Sequence, residues 1–288
     1  MGLKQHIDEA TAQLIRAGVD SPRLCAEVLA RETLKGDPSG SARLFCILEA
    51  GRELTAGEKE QYVALVARRA TGQPLAQIIG RKEFYGRDFA VTPHTLIPRP
   101  ETELLVDNAL ELLPHEPLCF ADLGAGTGCI GITLAAERPG WSGILLDICP
   151  NAVAVAARNA ERHGVAQRVA ALRGDMRTPP LRAESLRLLV SNPPYIADAE
   201  RHMVMDEVLH NEPHSALFSE NNGLLHLKAA VNAAAHALQN GGWILLEHGA
   251  GQANDVHGLL ADTGVFKKIE HKRDIAQLDR CTLAQKGL

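Results

Sequence analysis

The chain has 288 residues, 45% of them hydrophobic and 23% charged, with a formal net charge of -5 at pH 7. That length predicts about two domains of ordinary globular composition, and the slightly acidic balance excludes the strongly basic footprint of a typical nucleic-acid binder. Lys4, His6, Asp8 and Glu9 interrupt the start of the chain and no run approaches the roughly 18 apolar residues of a membrane helix, so no membrane association and a cytoplasmic location are expected.

Residues 1–73 read as helix throughout. Ser21-Pro22 places a cap and a first-turn proline before Leu24, Cys25, Val28 and Leu29, which share one helical face. Thr55 and Glu58 have capping-box spacing, and Gly72 is a helix stop. The region is expected to be a small helical bundle that recognises the substrate, because it carries no catalytic constellation. Residues 74–98 change pattern: Ile78-Ile79-Gly80 and Phe89-Ala90-Val91 around Tyr85-Gly86-Arg87 predict a β-hairpin linker. Ile97-Pro98-Arg99-Pro100-Glu101-Thr102-Glu103 then leads into a helix whose first turn carries two acids, as the helix dipole favours.

From residue 99 to 288 strands and helices alternate. Strands are predicted over 118–122, 144–147, 169–173, 186–191 and 243–247, with helices from Cys129, over 151–162 and over 224–238. This alternation predicts an α/β domain with a mostly parallel sheet and helices on both faces, which binds ligands at the carboxyl ends of its strands. After the first of these strands comes Asp122-Leu123-Gly124-Ala125-Gly126-Thr127-Gly128. Its glycines let the backbone turn tightly, and the N–H groups of the helix start are expected to point at a ligand. Gly126 to Gly131 also satisfies G-x-G-x-x-G, with Asp147 nineteen residues (147 − 128) beyond Gly128, so a dinucleotide and S-adenosylmethionine both remain open from the loop alone. Asp147 ends the second strand, where its carboxylate can accept both ribose hydroxyls. Asp175 and Met176 end the third, where one can accept from an adenine amino group and the other can pack on the ring.

The fourth strand stops at Asn192-Pro193-Pro194-Tyr195. Two prolines cannot continue a sheet and stiffen the turn that leaves it. There the Asn192 side-chain oxygen and the Pro193 carbonyl can point the same way and grip a planar –NH2 group, with Tyr195 as a flat face beside it. The six cysteines are scattered without a C-x-x-C pair and read as small buried hydrophobes. No metal site is expected, since His202, His210 and His214 lack carboxylate or thiol partners at ligand spacing.

These residues together resemble the class I S-adenosylmethionine-dependent methyltransferases, with their Rossmann-like domain. Within them the chain is similar to the HemK/PrmC family, the N5-glutamine methyltransferases of peptide-chain release factors. The resemblance spans the Leu96 to Glu103 segment, the Asp122 to Gly128 loop, Val190 to Ile196, Asn211-Glu212-Pro213 and the strand ending at Glu247. The chain departs from the family pattern at Cys149, Met176, His248 and Gln277.

The resemblance implies S-adenosyl-L-methionine as cofactor, held by Gly124, Ala125, Gly126, Thr127, Gly128, Asp147, Asp175, Met176 and Asn192. It implies that Asn192, Pro193, Pro194 and Tyr195 bind the glutamine amide, with Asn192, Pro193 and Tyr195 carrying the chemistry. Release factors are then the protein partners, with no nucleic-acid requirement and a monomeric enzyme. No His or Glu adjoins the motif in sequence, so no dedicated general base is expected. The alternative is a DNA or RNA base amino-methyltransferase, because an exocyclic base amine suits the same clamp.

Overall fold

The computed structural model describes residues 1–37 and 40–287, in two compact units. The first unit comprises Met1–Gly80 together with Asp206–Asn211. It holds helices α1 (Leu3–Arg16), α2 (Pro22–Thr33), α3 (Ala42–Leu48), α4 (Ala56–Ala70), α5 (Leu75–Ile79) and, from far along the chain, α9 (Asp206–Asn211). Leu3, Ile7, Leu14, Leu29, Tyr62 and Val66 recur at helical spacing and close its core. The Thr55–Glu58 capping box forms as expected, with both reciprocal bonds present. Pro22 takes the first helical position, but Ser21 sits at φ +50° and makes no side-chain cap bond. Ile78 and Ile79 belong to α5, not to a hairpin strand, because Pro74 opens a single helical turn and Gly80 at φ +75° closes it. An apolar pair this short has no period of its own, so flanking residues decide its structure. Within the unit, the buried Arg69 donates to Glu207 of α9 at 2.7 Å and to the Gln73 carbonyl at 2.9 Å.

The second unit begins with the hairpin β1 (Arg81–Phe84) and β2 (Arg87–Ala90), whose turn residues Tyr85 and Gly86 both have positive φ, the geometry that matches strand twist. A 3-10 turn at Pro100–Thr102 leads into α6 (Glu103–Leu112). The seven-stranded sheet follows: β3 (Leu118–Leu123), β4 (Trp141–Asp147), β5 (Val169–Arg173), β6 (Leu186–Ser191), β7 (Leu238–Glu247), β8 (Phe266–Arg273) and β9 (Asp279–Lys286), in the order β5-β4-β3-β6-β7-β9-β8. The first five are mutually parallel, and β9 is antiparallel to both of its neighbours. Helices α7 (Cys129–Glu137), α8 (Pro150–Arg162), α10 (Leu225–Ala237) and α11 (Ala253–Asp262) connect the strands.

Strand alternation sends neighbouring apolar residues into opposite layers. Phe120, Leu188 and Leu245 join one core with Leu105, Ile132 and Trp141; Ala121, Leu189 and Ile244 join the other with Leu227 and Val256. Strands buried on both faces therefore read as continuous apolar runs, as β3, β6 and the second half of β7 do; β5, at the sheet edge, is largely exposed and was visible through its apolar run from Val169 to Leu172. The antiparallel pair β8/β9 was not, since Lys267, Lys268, Glu270 and Lys272 interrupt β8. Charges of that kind suit an edge strand and guard it against pairing with another chain. The chain order reverses at β3, which has β4 on one side and β6 on the other, and the carboxyl ends of these three strands meet at one crevice. Among the described residues no helix is long and apolar enough to cross a membrane.

Candidate active site

Beyond Leu123 the chain turns through Gly124, Gly126 and Gly128 at φ of +72°, +56° and +80°, a region that side-chain-bearing residues enter only at a cost. At Gly128 the space is closed as well, since an added Cβ would stand 2.7 Å from Ile132 Cδ1 and 3.0 Å from Leu145 Cδ1. Four of the loop's own amides, ahead of the helix start, are spent inside the protein. Gly124 and Ala125 both donate to the Leu146 carbonyl, at 2.8 and 3.0 Å, Gly128 donates to Ala125 at 2.7 Å, and Gly126 donates to Asp147 Oδ2 at 2.8 Å. These bonds stitch the loop to the end of β4, so that what it offers a ligand is close approach to glycine backbone.

Asp147 is the hinge of this arrangement. Its second oxygen, Oδ1, accepts the Cys149 N–H at 2.9 Å. The carboxylate as a whole thus keeps acceptor capacity for a further donor. Burial holds its carboxyl above the usual range, against the pull of the backbone N–H bonds. Because position 149 contributes through its backbone, the Cys149 departure leaves this contact intact. Asn159 of α8, which the sequence did not single out, is fully buried and ties the loop to the hairpin: it donates to the Thr127 carbonyl at 2.9 Å and accepts from Ala90 at 2.9 Å.

A cavity of about 260 Å³ opens at this crevice. Of the residues singled out in sequence, Gly124, Ala125, Gly126, Thr127, Asp147, Asp175, Met176, Asn192 and Pro194 line it, while Gly128, Pro193 and Tyr195 do not. Met176 is buried against the Leu146 layer. Asp175 is held by Arg177, whose Nε and Nη2 reach its carboxylate at 2.9 and 2.6 Å, and this partner keeps its carboxyl below the usual range.

Asn192 follows β6, whose last residue, Ser191, donates through Oγ to the Leu123 carbonyl of β3 at 2.6 Å. The Asn192 amide donates through Nδ2 to Thr102 Oγ1 at 3.1 Å, and Thr102 in turn donates to Glu247 Oε2 at 2.6 Å. Tyr195 donates its hydroxyl to the other oxygen, Oε1, at 3.4 Å. Glu247 ends β7 and is buried; burial pushes its carboxyl up to about 7, with the Thr102 bond and Arg280 opposing. The sequence offered no acid beside Asn192 and Tyr195, yet the fold supplies one. Behind Tyr195, Gln252 Nε2 donates to its carbonyl at 3.0 Å, and a Cβ on Gly223 (φ +82°) would stand 2.1 Å from that same oxygen.

The rim of the cavity is tied by Glu212, which is buried and accepts the Ile97 N–H at 2.9 Å while pairing with Arg99. This carboxylate holds the segment bearing His94, Leu96 and Pro98 against the one bearing Pro213 and Ala216, all of which face the cavity. The other departures are local. His248 is buried and shares its ring nitrogens with the Gly249 carbonyl and the Thr282 hydroxyl. Gln277 sits at φ +63°, a left-handed position in the turn before β9 that glycine would occupy without strain.

A parallel sheet with a glycine turn after its first strand, an acid ending the second and an amide-proline turn after the fourth defines a methyltransferase domain of the S-adenosylmethionine-dependent class. The chain matches the PrmC N-terminal domain over residues 5–80 and the Methyltransferase small domain over residues 101–230. It is 45% identical over 288 residues to the release factor glutamine methyltransferase of Nitratidesulfovibrio vulgaris, covering 100% of this chain and 95% of that one. It is 36% identical over 282 residues to that of Escherichia coli, covering 98% of each. The chain therefore belongs to the release factor glutamine methyltransferase family. Its fold is shared with the hMettl16 catalytic domain, solved with an RNA hairpin (TM-score 0.58, 16% identity, 78% of this chain and 82% of that one), and with a Pyrococcus furiosus methyltransferase (TM-score 0.53, 14% identity, 77% and 98%).

S-adenosylmethionine, the cofactor of this class, fits the residues present. The glycine turn admits a ligand against its backbone, Asp147 keeps acceptor capacity for a diol, and Met176 and the half-exposed Ile148 offer apolar surface for a ring.

Proposed function

We propose that this protein methylates the side-chain amide nitrogen, N5, of the glutamine in the Gly-Gly-Gln motif of peptide-chain release factors, in the cytoplasm and as a monomer. One observation carries the reading: Asn192, at the head of the amide-proline turn, lines the same cavity as the glycine loop and Asp147. Family membership supports the glutamine acceptor over a nucleic-acid base.

A glutamine amide nitrogen is a poor nucleophile, because its lone pair is delocalised into the carbonyl. The site answers with placement. Asn192 Oδ1 and the Pro193 carbonyl accept the two amide hydrogens, and Tyr195 packs beside the amide plane. Holding a nucleophile in line with its electrophile can lower a barrier by roughly 7 to 11 kcal/mol. The same acceptors stabilise positive charge developing on nitrogen, each by about 3 kcal/mol. S-adenosylmethionine, when bound, would supply the methyl group as a sulfonium: the methyl–sulfur bond breaks as the carbon–nitrogen bond forms, its electron pair stays on sulfur to leave the neutral thioether S-adenosylhomocysteine, and the amide nitrogen releases one proton to solvent. Asp147 and the Gly124 to Thr127 turn serve the cofactor, and Met176 its ring.

The test is transfer of labelled methyl from S-adenosylmethionine to a purified release factor. Label is expected on the factor bearing Gly-Gly-Gln and not on one whose Gln is replaced. Label on both factors, or only on added RNA or DNA, would overturn the assignment.

A further inference from the structure

We infer that Thr102 and Glu247 are positioning residues that fix which end of the Asn192 amide faces the cavity, and so make the site select an –NH2 group. The inference deepens the proposed glutamine reading and rests on it for the identity of the acceptor.

An asparagine side chain presents an oxygen and an –NH2 of nearly equal size, and only the oxygen can hold an amide acceptor by its hydrogens. The direction of the chain of bonds behind it removes the ambiguity. An ionised carboxylate only accepts, so the Thr102 hydroxyl must spend its single hydrogen on Glu247 Oε2, at 2.6 Å. What Thr102 then offers Asn192, at 3.1 Å, is a lone pair, which only the Nδ2 end can use. Oδ1 is left for the cavity that Asn192 lines.

Thr102 is 2% exposed and Glu247 3%, so water does not compete for these bonds. Burying a carboxylate is costly unless its partners repay it. The nearby cation, Arg280, is committed to Asp274 at 3.2 Å. The bonds Glu247 makes run to Thr102 and Tyr195, both of which lead to the amide-proline turn.

Protonation reverses the logic. A neutral Glu247 can donate to Thr102, the hydroxyl hydrogen is freed, and either end of Asn192 then suits it. The groups facing Glu247 are Arg280 of β9, Glu101 before α6, Tyr195, and the thiols of Cys129 and Cys281, which sit high and neutral. Burial raises the Glu247 carboxyl to about 7, so the methyl-transfer rate should hold above that pH and fall below it.

Single-turnover methyl transfer to a Gly-Gly-Gln release factor, with S-adenosylmethionine affinity measured by calorimetry, tests the rate. Thr102→Val should lower it about 10- to 100-fold, the scale found when the partner that orients a metal-ligating side chain is removed, with affinity within about threefold. Thr102→Ser, which keeps the hydroxyl, should restore most of the loss. Glu247→Gln should abolish the acid limb of the pH profile. A Thr102→Val enzyme as fast as wild type, a Thr102→Ser variant as slow as Thr102→Val, or an acid limb that persists in Glu247→Gln would overturn the inference.

A second readout needs no acceptor and stands if the glutamine reading fails. Hydrogen exchange of the Asn192 Nδ2 protons, followed by NMR and assigned with Asn192→Asp, should be slow in the wild type and fast in Thr102→Val and Glu247→Gln. Fast exchange in the wild type, or slow exchange in both variants, would sink the polarity argument. A wild type that shows slow exchange yet leaves release factor unlabelled would fault the proposed acceptor alone.

Discussion

Removal of the Asp147 carboxylate should weaken cofactor binding and loosen the glycine loop, by amounts that two variants can separate. In the folded protein its two oxygens accept from Gly126 at 2.8 Å and from Cys149 at 2.9 Å, and the proposed function gives the ribose hydroxyls the acceptor capacity that remains. A hydrogen bond to a charged group contributes about 1.5 to 3 kcal/mol. Asp147→Ala loses two such ligand bonds, and since neighbours on one carboxylate do not add fully, about 3 kcal/mol is expected, or roughly 100-fold in Kd. It also orphans two backbone N–H groups, which should lower stability by about 1 to 3 kcal/mol. Asp147→Asn keeps one backbone bond but turns an –NH2 towards a backbone donor, so it should fall between wild type and Ala on both scales. Titration calorimetry with S-adenosylmethionine gives the affinity and denaturant unfolding of the free protein gives the stability. Affinity of Asp147→Ala within threefold of wild type would remove this residue from the cofactor site. If affinity falls only as far as stability does in both variants, the carboxylate acts on the loop and not on the ligand.

Three other perturbations are expected to act in distinct ways. Asn192→Ala should cut turnover by about 100- to 1,000-fold, the scale of a lost transition-state contact, while S-adenosylmethionine affinity changes by less than threefold; equal losses in both would place Asn192 chiefly in the cofactor site. Gly128→Ala forces a side chain into φ +80° and to within 2.7 Å of Ile132, so an unfolding free energy lower by about 1 to 3 kcal/mol is expected, and an unchanged denaturation midpoint would refute the close packing. Asp122 is fully buried on β3, its Oδ2 accepting from Gly131 at 3.0 Å and its Oδ1 without a partner, and burial raises its carboxyl to about 7. The folded protein then holds a proton that the unfolded chain has released, so stability is greatest below about pH 4 for this group and declines as pH rises through 7. Asp122→Asn should remove part of that decline, up to on the order of 4 kcal/mol between pH 4 and 8, as read from urea midpoints; an identical pH dependence in the two proteins would show that Asp122 ionises freely.

The sequence by itself determined the elements whose signals are local. The Thr55–Glu58 capping box, the positive-φ glycines of the loop, the apolar runs of β3 to β7 and the proline turn after Ser191 each depend on residues within a few positions of one another, and backbone sterics, caps and burial act at that range. The resemblance extended this to the family, because Asn192 to Tyr195 and Leu96 to Glu103 stand as short motifs. What the sequence did not display is what depends on chain separation. Thr102 meets Asn192 across 90 residues and Glu247 across 145, and Glu212 meets Ile97 across 115. Thr102 lay unremarked between two acids that the helix dipole already explained, and Glu247 read as the polar end of a buried strand. Hydrophobic periodicity encodes whether a residue is buried, but not which distant polar group it meets there. Only the order of strands in the sheet brings the ends of β6 and β7 beside the start of α6, and it is this meeting that decides which atom of Asn192 faces the ligand.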